Sequence, residues 1–413
     1  MGHFKVFTLA GMLTVFWYWT RHSLSPGSLW NDDLWTANLI KFSTLGDLWS
    51  IAPPISFGFA LAQKASRGVL SNPTLAALLL PYLCGVLGLV LFSWWVFRFS
   101  RSWIWFTMAF LLLSSNHHLV SFFARGKHYG FDLLASVVII GLAIRAFKAP
   151  SPTTRMAVYG AALVGLFFSS ASVFVSVPAI AVLLTGSLTG TGRRELATLA
   201  LCAMTALFYY AGYLSFQARA GMTTYWAAYM HPTAYLSPFF FKALPPYLRD
   251  LIFLIPVGLV WALRDRTWRS AAIAYIGSIL LILAFATLGK YPLGGGRMDI
   301  WSYPLHCLMF CVGLWRVARW HRLLHWFPHL IAVLCLGQAL WLAFADPVFY
   351  VDDPNAVRGK MMALARERPL PGDTQQSLWA WCYYNDFDQE PCQIVAEPEG
   401  VNGFRIDMAG AEK

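Results

Sequence analysis

Residues 74–114 read TLAALLLPYLCGVLGLVLFSWWVFRFSRSWIWFTMAFLLLS. The first 24 of them, 74–97, contain no charged side chain, and a helix crossing a bilayer needs about 20 mostly apolar residues. Arg98 and Arg101 interrupt the run, and a second apolar run occupies 102–115. Two such runs joined by a short basic turn are the repeating unit of a polytopic membrane protein.

Working outward, further apolar runs lie near 4–19, 129–147, 156–168, 172–188, 196–215, 250–263, 271–288, 303–318 and 328–345, eleven in all. The stretch 156–188 reads either as one long helix or as two around Ser169–Ser172. Loop charge decides the count. With the N-terminus in the cytoplasm, the short cytoplasmic connections carry Lys5; Arg98 and Arg101; Arg145, Lys148 and Arg155; Arg193 and Arg194; Arg264, Arg266 and Arg269; and Arg316, Arg319 and Arg322. That is the positive-inside pattern, and merging any two runs breaks it. The first run follows Lys5 without a small-residue cleavage site, so it reads as an uncleaved first helix.

Composition agrees. The 413 residues are 58% hydrophobic and 12% charged, against roughly 25% charged in soluble domains. A soluble enzyme and a disordered chain are both excluded. The net charge of +11 does not indicate nucleic acid, because the basic groups are scattered between apolar runs and form no stripe. Residues 1–345 hold 25 Lys/Arg and 8 Asp/Glu, whereas 346–413 hold 6 and 12. The chain therefore divides into a membrane domain (1–345) and a small acidic segment (346–413), placed on the non-cytoplasmic side by the odd number of spans. Cys84, Cys202, Cys307, Cys311 and Cys335 fall inside spans as small apolar side chains. Cys382 and Cys392 lie in the tail, on the oxidising side, as a disulfide or as two free thiols.

Chemistry in such a protein is carried by polar groups the membrane would otherwise exclude. SLWNDDLWTANLI (28–40) sets Asp32 beside Asp33 between tryptophans. It reads as a wet interfacial loop, or as a general base whose affinity for protons is raised by the neighbouring like charge. SSNHHLVSFFARGKHYGFDLL (114–134) places Arg125, Lys127 and His128 at the mouth of a span, with Asp132 one turn inside. His117, His118 and His128 lack carboxylate or thiolate partners at ligand spacing, so they read as solvated interface histidines and no metal or other cofactor is called for. GKYPLGGGRMDIWSYP (289–304) combines three glycines, among them Gly295 and Gly296, with Arg297. Converging backbone N–H groups and a guanidinium suit an anion, and a plain flexible turn is the alternative. A carboxylate pair beside a cationic cradle fits group transfer from a phosphate-linked donor.

The order of these motifs resembles the GT-C integral-membrane glycosyltransferases, in particular the bacterial branch related to protein O-mannosyltransferases and lipid A aminoarabinose transferases. Asp32 and Asp33 match the acidic pair of that family's first outer loop, followed by Thr36 and Pro53-Pro54. Arg125-Gly126-Lys127-His128-Tyr129 matches its second outer motif, Tyr225-Trp226 a later aromatic pair, and Tyr291 to Arg297 resembles its Tyr-Pro-x-Gly-Gly-Arg turn. Asp33 stands where Glu is commoner, and Arg125 where an acidic group is usual.

The resemblance implies an all-α polytopic fold in the inner membrane and inverting transfer from a polyprenyl-phosphate sugar to a glycan, lipid or protein at the non-cytoplasmic face. Asp32 would be the base and Asp33 its helper. Arg125, Lys127, Arg297, Gly295 and Gly296 would hold the donor phosphate, and Tyr129, Tyr225, Trp226 and Tyr291 would contact substrate. A transporter or flippase for lipid-linked sugars is the competing reading. It calls for polar groups at mid-membrane depth, whereas here they crowd one face.

Overall fold

The computed structural model describes residues 10–13, 16–17, 31–51, 55–123, 125–185, 192–214, 232–293, 297–320, 322–344, 381–382, 392–396 and 404–408. After helical residues 10–13 and 16–17 come three short helices, α1 (Asn31–Phe42), α2 (Leu45–Ile51) and α3 (Phe57–Val69). The bundle follows: α4 (Pro73–Ser100), α5 (Trp103–Ser114), the short α6 (His117–Phe123), α7 (Tyr129–Lys148), α8 (Pro152–Phe168), α9 (Val173–Thr185) and α10 (Arg193–Tyr209). Next come α11 (Pro232–Phe241), α12 (Leu254–Arg264), α13 (Arg269–Thr287), α14 (Tyr303–Trp320) and α15 (Phe327–Phe344).

Every apolar run from 74–97 onward coincides with one of these helices. The run at 4–19 falls largely outside the described residues. Among the described residues, five helical stretches are long and apolar enough to cross a membrane: Thr74–Ser100, Tyr129–Lys148, Arg193–Gly212, Arg269–Thr287 and Leu324–Trp341. Trp103–Ser114, Ser170–Thr185 and Leu254–Arg264 are shorter apolar helices. On α10, Leu201, Met204, Leu207 and Phe208 are exposed, a surface suited to lipid and costly in water.

Local chemistry sets the boundaries. Asn72 caps α4 by accepting from Leu75 N–H at 3.1 Å, with Pro73 in the first turn where no donor is needed. Ser151 and Thr154 form a reciprocal capping box at the start of α8. Ser169 is extended (φ −150°, ψ 99°) and separates α8 from the 3-10 turn Ser170–Ser172 that leads into α9. The 156–188 stretch is therefore two helices.

The basic turns gather at one end. Lys148 Nζ lies 4.2 Å above the Trp268 ring, and Phe99 meets the same ring edge-on. Nearby, Arg155 grips Glu195 with two hydrogen bonds, 2.5 and 2.6 Å, and Tyr159 OH donates to Glu195 Oε1 at 3.1 Å. This clamp ties the start of α10, a helix that buries little else, to α8.

Helices α12 and α14 cross at two glycines. A Cβ on Gly258 would sit 2.1 Å from the Met309 carbonyl oxygen, and one on Gly313 would sit 2.0 Å from that of Leu254. Backbones this close need small residues, as packing between membrane helices commonly does. Gly313→Val is expected to lower the melting temperature in detergent, at a cost of about 1–3 kcal/mol for overpacking. Gly337→Val, whose Cβ meets nothing within 4 Å, should leave it unchanged. Equal melting curves for both variants would refute the tight crossing.

The tail adds an element that an all-α reading lacks: an antiparallel pair, β1 (Cys392–Ala396) and β2 (Phe404–Met408), in register from Cys392↔Met408 to Ala396↔Phe404. Cys382 and Cys392 are joined as a disulfide.

Candidate active site

The site lies at the end of the bundle opposite the basic turns. Its floor is the start of α7. Gly130 lets this helix press onto α4, since a Cβ there would lie 1.9 Å from the Pro81 carbonyl oxygen. That contact seats Tyr129 and Asp132, both buried, against the core. The segment before it is a tight turn, with Arg125 N–H donating to Phe122 O at 3.2 Å and Gly126 buried. Arg125 and Lys127 are partly exposed on this turn.

His128 is not a solvated histidine. Its side chain is 12% exposed, its ring meets Phe59 of α3 edge-on, and its Nε2 lies 3.7 Å from Asp132 Oδ2 one turn on. Helical spacing put a carboxylate beside it, and Phe59, 69 residues away in sequence, covers it. Asp132 itself is enclosed, with the Ser169 hydroxyl beside its carboxyl group. Among the described residues, its Oδ1 and the hydroxyls of Ser136 and Ser172 have no hydrogen-bond partner.

The third wall comes from residues 289–302. Tyr291 packs edge-on to Phe174 at 4.7 Å, and Trp301 stacks with the same ring at 5.1 Å. Burial first, then the nearby carboxyl groups of Asp132 and Asp299, pushes the Tyr291 hydroxyl well above a tyrosine's ordinary pKa. It therefore stays a neutral hydrogen-bond donor. Asp299 is buried in the 3-10 turn Arg297–Ser302, which packs against α7.

The backbone of Asp32 and Asp33 forms the first turn of α1, while their side chains are outside the described part. Helix α1 enters the same neighbourhood: Leu39 and Ile40 share one apolar cluster with Phe59 of α3 and Phe131 of α7. The backbone of Arg297 opens its 3-10 turn, but its side chain, together with Gly295, Gly296, Tyr225 and Trp226, lies outside the described residues.

Thus the far part of α1, through Leu39 and Ile40, packs with the 125–132 turn, and Tyr129, Asp132 and Asp299 lie close enough to Tyr291 to act on it electrostatically. Sequence reasoning passed over Asp299 and Ser169. Asp299 is the sole carboxylate in 289–304, a signal that could have been read; a serine at a helix break carries none. Beside the centre, Phe131 stacks face to face on Phe168 at 5.4 Å. Behind Phe168 lies an apolar cavity of about 220 Å³ between α8 and α10, lined by Leu163, Val164, Leu166, Phe167, Thr205 and Tyr209. Among the described residues no group of three His, Cys, Asp or Glu side chains is placed to hold a metal ion.

No family model and no curated protein matches the chain. Among solved structures, it is similar to the crystal structure of ArnT from Cupriavidus metallidurans in the apo state, with 12% identity and a TM-score of 0.50. The match covers 92% of this chain and 76% of that one. At this identity the likeness is one of fold: a helical membrane architecture like that of ArnT, as the motif resemblance implies, with the number of spans not fixed by it.

Proposed function

We propose that this protein is a membrane glycosyltransferase that moves a sugar from a polyprenyl-phosphate donor to a hydroxyl of a glycan, lipid or protein acceptor at the non-cytoplasmic face, with inversion. The observation that carries the reading is the convergence of α1, the Arg125–Asp132 turn and the Tyr291–Asp299 segment at the end of the bundle away from the basic turns. A carboxylate-bearing helix and a cationic turn are what phosphate-leaving transfer requires. The fold shared with ArnT supports the same class.

In this reading the eleven-span topology places the site and the tail outside, in the inner membrane of a bacterial envelope. Asp32 takes the proton of the acceptor hydroxyl as its oxygen attacks the anomeric carbon. The bond to the phosphate breaks on the opposite face, as inversion demands. The departing polyprenyl phosphate needs charge stabilisation more than protonation, and Arg125, Lys127, Arg297 and the Gly295–Gly296 backbone supply it. Asp33 assists Asp32, and Tyr129, Tyr291, Tyr225 and Trp226 contact the sugars. The cavity behind Phe168 gives the prenyl chain an apolar seat.

The test uses the full-length protein in lipid nanodiscs with undecaprenyl phosphate bearing glucose, mannose, arabinose or aminoarabinose, and lipid or glycan acceptors. Release of undecaprenyl phosphate coupled to a product of inverted anomeric configuration is expected. In sealed vesicles, movement of the intact lipid-linked sugar across the bilayer without cleavage would favour the transporter reading instead.

A further inference from the structure

The C-terminal end of α1 is held from two sides. From α3, Lys64 Nζ donates to the carbonyl oxygens of Ile40, at 2.9 Å, and of Ser43. These belong to the last turn and exit of α1, where carbonyls lack helical partners and carry the negative end of the dipole. Burial and then the nearby Arg67 charge lower the Lys64 pKa, with Asp47 opposing them, and the two carbonyls accept from its ammonium.

On the other side Lys41, in the last turn of α1, donates from Nζ to the main-chain carbonyl of Cys382 at 2.8 Å. The bond joins residues 341 apart in sequence. Its acceptor is not a loose tail atom. Cys382 and the adjacent Trp381 are buried, and Cys382 is tied by its disulfide to buried Cys392. Cys392 begins β1, which pairs with β2 and packs against α1. Closing the loop between the two cysteines reduces the conformational freedom of the chain that must be ordered to present that carbonyl.

We propose that the disulfide-closed C-terminal segment is a positioning element for α1, with Lys41 as its anchor, so that the tail sets the placement of the helix whose first turn carries Asp32 and Asp33. The consequence for catalysis rests on the glycosyltransferase reading; the docking itself does not. A reacting group displaced by about 1 Å can lose on the order of 10²-fold in rate, so a helix whose far end is held in part by the tail is a sensitive point.

The experiment compares wild type, Lys41→Met, Lys41→Arg, Cys382→Ser and Cys392→Ser as full-length protein in nanodiscs. Hydrogen–deuterium exchange of peptides covering 34–42 should quicken about tenfold or more in Lys41→Met and in both cysteine variants. Peptides from α4 and α7 should be unchanged, and Lys41→Arg should retain protection. With the lipid-phosphate sugar that wild type turns over, kcat should fall about tenfold to a hundredfold while the donor KM stays put. Lys41→Met combined with Cys382→Ser should be no worse than either alone, because both remove one contact.

Unchanged exchange at 34–42 overturns the docking, whether or not the protein proves to be a transferase. Faster exchange with full kcat overturns the positioning role. If wild type transfers no sugar at all, the exchange data still decide the docking, and only the functional reading fails.

Discussion

Asp32→Asn is expected to reduce sugar transfer by about 10³-fold or more while leaving the protein inserted and folded. A positioned general base contributes typically 10²–10⁴-fold, and an amide of the same shape cannot accept the proton. Stability should barely move. Asp32 stands in the first turn of α1, where an acidic side chain gains roughly 0.3–1 kcal/mol from the helix dipole. The buried residues that fasten α1, Leu34, Leu39 and Ile40, are untouched. The donor KM should change little, since the acceptor hydroxyl and not the phosphate is the base's partner. Asp33→Asn should be the milder of the two, as befits a helper. Wild-type turnover in Asp32→Asn, measured by release of polyprenyl phosphate, would remove Asp32 from the mechanism.

The second large effect concerns the donor. Arg125→Ala and Lys127→Ala should each raise the KM for the lipid-phosphate sugar by roughly 10- to 100-fold. Hydrogen bonds to charged groups are worth about 1.5–3 kcal/mol, and each factor of ten in affinity is 1.4 kcal/mol. The turn that presents them should survive either change. Its shape is supported by the Arg125–Phe122 backbone bond, by buried Gly126 and by His128 against Phe59. Lys127→Arg should retain most donor binding, because a guanidinium offers the phosphate at least as many donors. A donor KM unchanged in both alanine variants would place the phosphate elsewhere.

Much of the architecture was legible along the chain. Apolar runs of spanning length, broken by Arg98–Arg101, Arg145–Arg155 or Arg264–Arg269, could be read one at a time, because membrane partitioning acts on each segment by itself. The Ser169–Ser172 break was visible as polar residues in an apolar stretch. The candidate site was legible in part. Arg125, Lys127 and Tyr129 share five residues, and the structure keeps them together on one turn. His128 was misread as solvated because nothing local announces Phe59 above it. The hairpin in the tail was missed as well, since two five-residue strands in an otherwise polar segment give little alternation to detect.

What the sequence determined by itself was the solvent of each segment: which stretches belong in lipid, which turns stay at the basic end, and which polar groups cannot be accounted for by packing. What only the tertiary structure decided was facing. A helix such as WIWFTMAFLLLS is apolar on every side, so it has no periodic stripe to say which face meets protein and which meets lipid. Facing is settled by shape, by Gly258 lying against Gly313 and Gly130 against Pro81. Shape is also what brings Asp132, Tyr291 and Asp299 to one buried centre, and Lys41 of α1 to the carbonyl of Cys382.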